Sequence, residues 1–189
     1  MASNDTVQQF RLGRQARNTV RSNTLGDMLL ASHRLNATAL PRFTLQSSDF
    51  RNNDLLPTRA TVDGDGTPPP LSWGLLVPPP ASLALICEDP DSAGANPFVH
   101  WVVYGISGNT QSLDANLRDF REGLNDHGTV GFAPAAPPWH DPPHRYVFQL
   151  FGLDTELSLP PGIARDELVS AIQGHVIAWG ELIGQYERP

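Results

Sequence analysis

An antiparallel, mainly β domain is the fold this sequence predicts: a β-sandwich with one helix near the C-terminus and an N-terminal arm of helical periodicity. Three observations predict it. The 189 residues include 18 prolines and 16 glycines against 8% aromatics, a composition of short segments joined by many turns. From Phe43 onward, short apolar segments alternate with turn residues. Those segments are joined by loops instead of crossover helices, so neighbouring strands should run antiparallel.

The elements follow in order. Residues 1–42 form a basic arm in which six arginines stand against Asp5 and Asp27, a net of +4. Arg11, Arg14, Arg17 and Arg21 recur at three- and four-residue steps, which lines one face of a helix. Thr24–Leu30 opens a second short helical segment. This arm is expected to be disordered or to dock, either on the acidic body or on a second subunit. The body, residues 43–189, begins with a strand at Phe43–Leu45. Asp63 to Pro70 is a tight loop, because its glycines permit left-handed backbone and its prolines cannot donate to a ladder. Ser82–Glu88 reads as a buried strand, and Val99–Ile106 as another rich in β-branched and aromatic residues. His144–Leu153 alternates, with Tyr146, Phe148 and Leu150 on one face and Val147, Gln149 and Phe151 on the other. Near the end, Asp166 and Glu167 suit a helix N-terminus. Leu168, Ile172, Val176, Trp179 and Ile183 then follow at helical spacing, predicting one amphipathic helix.

Composition excludes several functions. The body carries seven arginines against 18 acidic residues, a net of −11, which disfavours nucleic acid as a partner. The chain has no lysine, so Schiff-base and lysine-nucleophile chemistry are out. A single cysteine, Cys87, allows neither an internal disulfide nor a cysteine-based zinc site. There is no G-x-S-x-G elbow, no Walker loop and no G-x-G-x-x-G. No run approaches the roughly 18 apolar residues of a membrane-spanning helix. The first residues lack a basic stretch followed by an apolar core, so the expected location is cytoplasmic.

Two loops concentrate the chemistry. Asp89-Pro90-Asp91 follows the Ser82–Glu88 strand, and His100 opens the next one. A carboxylate beside a histidine fixes one tautomer and raises the imidazole pKa, which suits an anion. D-P-D alone is an ordinary turn. The second loop, Gly131 to Pro143, is stiffened by prolines at 134, 137, 138, 142 and 143 and runs into His144, Arg145 and Tyr146. His144 and Tyr146 share one strand face; Arg145 faces the other way and should meet a body carboxylate. Trp139 offers an apolar wall. No metal-ligand spacing links Asp89, Asp91, His100 and His144, so neither metal nor cofactor is expected.

Taken together, Leu83–Asp91, Phe98–Ile106, Pro137-Pro138 and His144–Phe148 resemble the phosphatidylethanolamine-binding protein family, specifically its bacterial Raf-kinase-inhibitor-like branch. Asp63-Gly64, Pro69–Trp73, Ala171–His175 and Gly184–Tyr186 add to the likeness, which runs from about Phe43 to Tyr186. The resemblance implies a two-sheet antiparallel sandwich with a C-terminal helix. It also implies a pocket for phosphate, phosphorylethanolamine or a similar anion, formed by Asp89, Asp91, His100, His144 and Tyr146 under a rim of Pro137, Pro138 and Trp139. Family members act as binding or inhibitory proteins on kinases or proteases, and bacterial members are often homodimers. This chain departs where the family reads Gly-Pro-x-Pro-Pro-x-Gly: it has Pro134-Ala135-Ala136-Pro137-Pro138-Trp139-His140, without either glycine. Three functions follow as expectations. The first is a binding protein for a small or anionic ligand; the second, an acid–base cyclase or isomerase using Asp89, Asp91, His100 or His144. The third is an inhibitor acting through protein contacts.

Overall fold

A computed structural model describes residues 24–188. Eight strands form two antiparallel sheets. The smaller sheet holds β1 (Leu45–Gln46), β2 (Leu71–Trp73) and β5 (Ser112–Leu113) in the order β1-β2-β5. The larger holds β3 (Ser82–Asp89), β4 (Phe98–Ser107), β6 (Arg121–Glu122), β7 (His144–Leu153) and β8 (Val176–Tyr186) in the order β6-β4-β3-β7-β8. Among the described residues, three α-helices accompany them, α1 (Thr24–Met28), α2 (Ala31–Arg34) and α3 (Arg165–Ile172), with short 3-10 turns at Ala37–Ala39 and Thr58–Ala60.

Strand alternation divides the large sheet into two apolar faces. Leu83, Leu85 and Cys87 of β3 join Tyr146, Phe148 and Leu150 of β7 and pack on Leu45, Leu71, Trp73 and Leu113 of the small sheet. Ala84 and Ile86, with Phe151 and Leu153, line the opposite face beneath α3 and Ala31, Leu35 and Ala37. Buried apolar area of this kind stabilises by about 25 cal/mol per Å2.

The second face also encloses a charge. Glu88 is fully buried; its oxygens accept from the Ala31 amide (2.8 Å), the Gln149 side chain (2.7 Å) and the Arg165 guanidinium (2.8 Å). Burial pushes its pKa up, and Arg165 leads the groups that oppose this. Gln149 completes the attachment by accepting from the Ser32 amide at 2.8 Å. Residues 31 and 32 are thus fastened to the middle of the sheet by their own backbone. Arg11, Arg14, Arg17 and Arg21, expected on one helical face, lie outside the described residues.

The single amphipathic helix expected from Leu168 to Ile183 is corrected. Helix α3 ends at Ile172, Gly174 takes a left-handed φ of +82°, and Val176, Trp179 and Ile183 belong to β8. Gly180 and Gly184 explain the geometry. A Cβ on Gly180 would lie 2.6 Å from the Phe43 ring, and one on Gly184 would lie 2.3 Å from Leu56. These glycines let the incoming chain cross β8 at close range.

Candidate functional site

Two neighbouring strands bring the central pair together. Asp89 continues the inner face of β3 (Leu83, Leu85, Cys87), and His144 opens the inner face of β7. His144 Nδ1 donates to Asp89 Oδ2 at 2.7 Å, and the other Asp89 oxygen accepts the Asp91 amide at 2.8 Å. Both side chains are nearly enclosed, at 4% and 5% exposure. A carboxylate can only accept, so it fixes the proton on Nδ1. His144 Nε2 makes no hydrogen bond, and the nearest carboxylate, Asp141 Oδ2, is 3.6 Å away. Burial works against the imidazolium. The hydrogen bond and charge of Asp89, helped by Asp91 and Asp141, outweigh it and hold the His144 pKa above the ordinary histidine value.

His100 arrives by a different device. Cys87 pairs with Trp101 and Glu88 with Val99, leaving His100 as the extra residue of a β-bulge. The bulge lets His100 and Trp101 serve the inner face together, while Val99 and Val102 face the other core. His100 Nδ1 donates to the Ala133 carbonyl at 2.8 Å. Burial lowers its pKa, with only partial opposition from the Ala133 bond and the Asp89 charge. The two environments push the histidines in opposite directions, His144 up and His100 down. With Nδ1 donating to Ala133, the neutral His100 ring leaves Nε2 as an acceptor.

These residues line a cavity of about 210 Å3 with Tyr146, Pro137, Pro138 and Ala136. The Tyr146 ring lies edge-on to His100 at 5.0 Å, and burial first, then Asp89, raises its phenol pKa strongly. Its hydroxyl stays protonated. Phe98, His127 and Ser92 complete the wall, and none was singled out from the sequence. Phe98 stacks between His100 and His127, with both centroid distances 4.9 Å. His127 is held by a turn in which Asn125 accepts the His127 amide and donates to Gly131 O. Asn125-Asp126-His127-Gly128 was the available signal, since Asx turns of this kind fix a loop locally.

Two expected pocket residues sit elsewhere. The Asp91 side chain is fully buried behind the pocket, where it accepts from Arg145 Nε and its amide and, through the other oxygen, from Arg145 Nη2. Arg145 in turn reaches Asp27 of α1 at 2.9 Å. Asp91 therefore orients the site only indirectly. Trp139 is 57% exposed and stacks on Arg188 with the guanidinium 3.9 Å from the ring centroid, outside the cavity. At the rim, His140 adopts a left-handed φ of +67°, a conformation that glycine takes more readily.

Comparison with known proteins now decides the family. The model of the phosphatidylethanolamine-binding protein family matches residues 46–187. The chain belongs to that family. A UPF0098 protein of Methanothermobacter thermautotrophicus is 38% identical over 151 residues, covering 76% of this chain and 98% of that protein. A crystallised phosphatidylethanolamine-binding protein homologue of Chlamydia trachomatis, CT736, superposes with a TM-score of 0.71 at 34% identity, covering 78% of this chain and 99% of its own. Escherichia coli YbcL, described as a new member of the mammalian family, gives 0.72 at 25% identity over 78% of this chain and 99% of its own. Both neighbours support the two-sheet fold. Among the described residues no helix is long and apolar enough to cross a membrane.

Proposed function

We propose that this phosphatidylethanolamine-binding family member binds a small phosphorylated head group in the Asp89–His144 pocket. One observation carries the reading: an enclosed imidazole, fixed by Asp89, keeps Nε2 without a hydrogen-bond partner. Protonated, that atom is a charged donor for a phosphoryl oxygen. Tyr146 adds a hydroxyl, and neutral His100 accepts from a P–OH. Asp89 and Asp141 oppose a bare multivalent anion, so a monoanion or a zwitterion with an amine near Asp141 suits the site best. A volume of about 210 Å3 holds a head group and not acyl chains.

Calorimetric titration with phosphorylethanolamine at pH 6.5 tests this. Losing a charge-assisted hydrogen bond is worth about 1.5–3 kcal/mol, so His144→Ala should weaken binding at least tenfold with near-ultraviolet dichroism unchanged. Equal affinity in both proteins would end the proposal.

A second reading, an acid–base cyclase or isomerase, has its own support. His100 and His144 line one pocket and their environments push them in opposite directions, His100 down and His144 up, which supports a base and an acid acting on one substrate. Incubation with small enolisable ketones in D2O tests it. Deuterium uptake next to the carbonyl that disappears in His100→Ala supports turnover, and none with any ketone opposes it.

A further inference from the structure

A second cavity lies elsewhere among the described residues. It measures about 610 Å3, within the range of drug-sized ligand sites, against about 210 Å3 for the head-group pocket. It opens between the Pro68–Pro70 segment and the loop that follows β5, and it contains none of Asp89, His100, His144 or Tyr146. Trp101 and Leu113, 3% and 2% exposed, belong both to its lining and to the core between the sheets. Leu117 and Phe120, both half-buried, supply further apolar wall.

The charges around it are unequally committed. Arg59 is tied to Asp49, with Nε donating at 2.8 Å. Asp114 accepts the Asn116 amide at 2.7 Å and the Ser112 hydroxyl at 3.3 Å. Half-buried Glu122 accepts the Trp101 indole N–H through Oε1 at 2.7 Å. Arg118 differs. It is exposed, donates only to the Ala115 and Leu117 carbonyls, and has no carboxylate partner among the described residues. An uncommitted cation therefore sits beside an apolar cleft, on a chain whose net charge is −7.

We infer that this cleft is a second ligand site, distinct from the head-group pocket, for an aromatic or polycyclic small molecule bearing an acidic group. The ring system packs on Trp101, Leu117 and Phe120. Its carboxylate or sulfonate meets Arg118 at the exposed side. A ligand hydroxyl donates to the second oxygen of Glu122, whose charge lies deeper than that of Arg118.

The probe is 1-anilinonaphthalene-8-sulfonate, titrated into the full chain by fluorescence. The site is located in parallel from the Trp101 indole N–H resonance, assigned with Trp101→Phe. Saturable one-to-one binding that shifts the Trp101 resonance is expected, with at least fivefold weaker affinity in both Arg118→Glu and Leu117→Asp. Arg118 is exposed, so its variant tests the site without touching the core. Phosphorylethanolamine, the probe of the head-group pocket, should not displace the dye at the concentration that saturates that pocket. Non-saturable binding, a smaller loss in Arg118→Glu, displacement by phosphorylethanolamine or an unmoved Trp101 resonance would each overturn the inference.

Discussion

Replacing Asp89 by Asn alters one charge and little volume, and the structure says what must follow. Asp89 holds the Asp91 amide with one oxygen and His144 Nδ1 with the other. Asn keeps an oxygen for the amide, which turns its NH2 toward Nδ1. That forces His144 to carry its proton on Nε2 and removes the negative charge that stabilises the imidazolium. A hydrogen bond to a charged group is worth about 1.5–3 kcal/mol against about 0.5–1.5 kcal/mol for a neutral one, so the variant should lose roughly 1–2 kcal/mol of stability where His144 is protonated. Burial, the largest influence on this ring, then acts with Asp89 gone. The His144 midpoint, followed by NMR of its ring carbon, should fall from above about 6.5 to below it. Stability gives an independent reading. A raised folded-state pKa stabilises fully below about pH 6.5 and loses that contribution as pH rises through the folded value. The difference in unfolding free energy between wild type and Asp89→Asn should therefore be largest near pH 6 and shrink above the wild-type midpoint. A variant midpoint equal to that of wild type would refute the reasoning.

Other outcomes follow from the packing. Glu88→Ala leaves the Ala31 amide and the Gln149 side-chain amide without their buried acceptor and the Arg165 guanidinium with Asp166 as its remaining carboxylate. Urea denaturation should show a loss of about 2–4 kcal/mol; under about 1 kcal/mol would mean the buried network is not holding residues 31 and 32. Gly184→Ala drives a methyl to 2.3 Å from Leu56 Cδ2 and should cost about 1–3 kcal/mol in the same assay. His140→Gly relieves a left-handed φ of +67° worth about 1–2 kcal/mol while loosening the unfolded chain by about 0.4–1 kcal/mol. A net gain of roughly 0.5–1 kcal/mol should appear as a raised Tm.

The sequence disclosed β3 as a continuous apolar run bounded by turns, and β4 and β7 through their β-branched and aromatic residues. It concealed β8. Two inner-face positions of that strand, Gly180 and Gly184, carry no side chain, so apolar alternation vanishes and Val176, Trp179 and Ile183 imitate helical spacing. The dyad was legible from a carboxylate at one strand end and a histidine at the start of another. The role of His100 was not, since a bulge resets the face on which a strand residue points and pairing partners are invisible in a single chain. Asp91 looked equivalent to Asp89 two residues away. Arg145 separates them, because its side chain leaves the opposite face of β7 and takes Asp91 out of the pocket.

The most direct test of the head-group pocket is the affinity for dimethyl phosphate, measured calorimetrically from pH 5.5 to 9. This monoanion keeps its single charge across that range, so any change belongs to the protein. With His144 as the charged donor, affinity should be level below its raised midpoint and fall about tenfold per pH unit above it, breaking at the midpoint that NMR gives for that ring. An affinity indifferent to pH, or one that breaks elsewhere, would mean that His144 does not hold the anion.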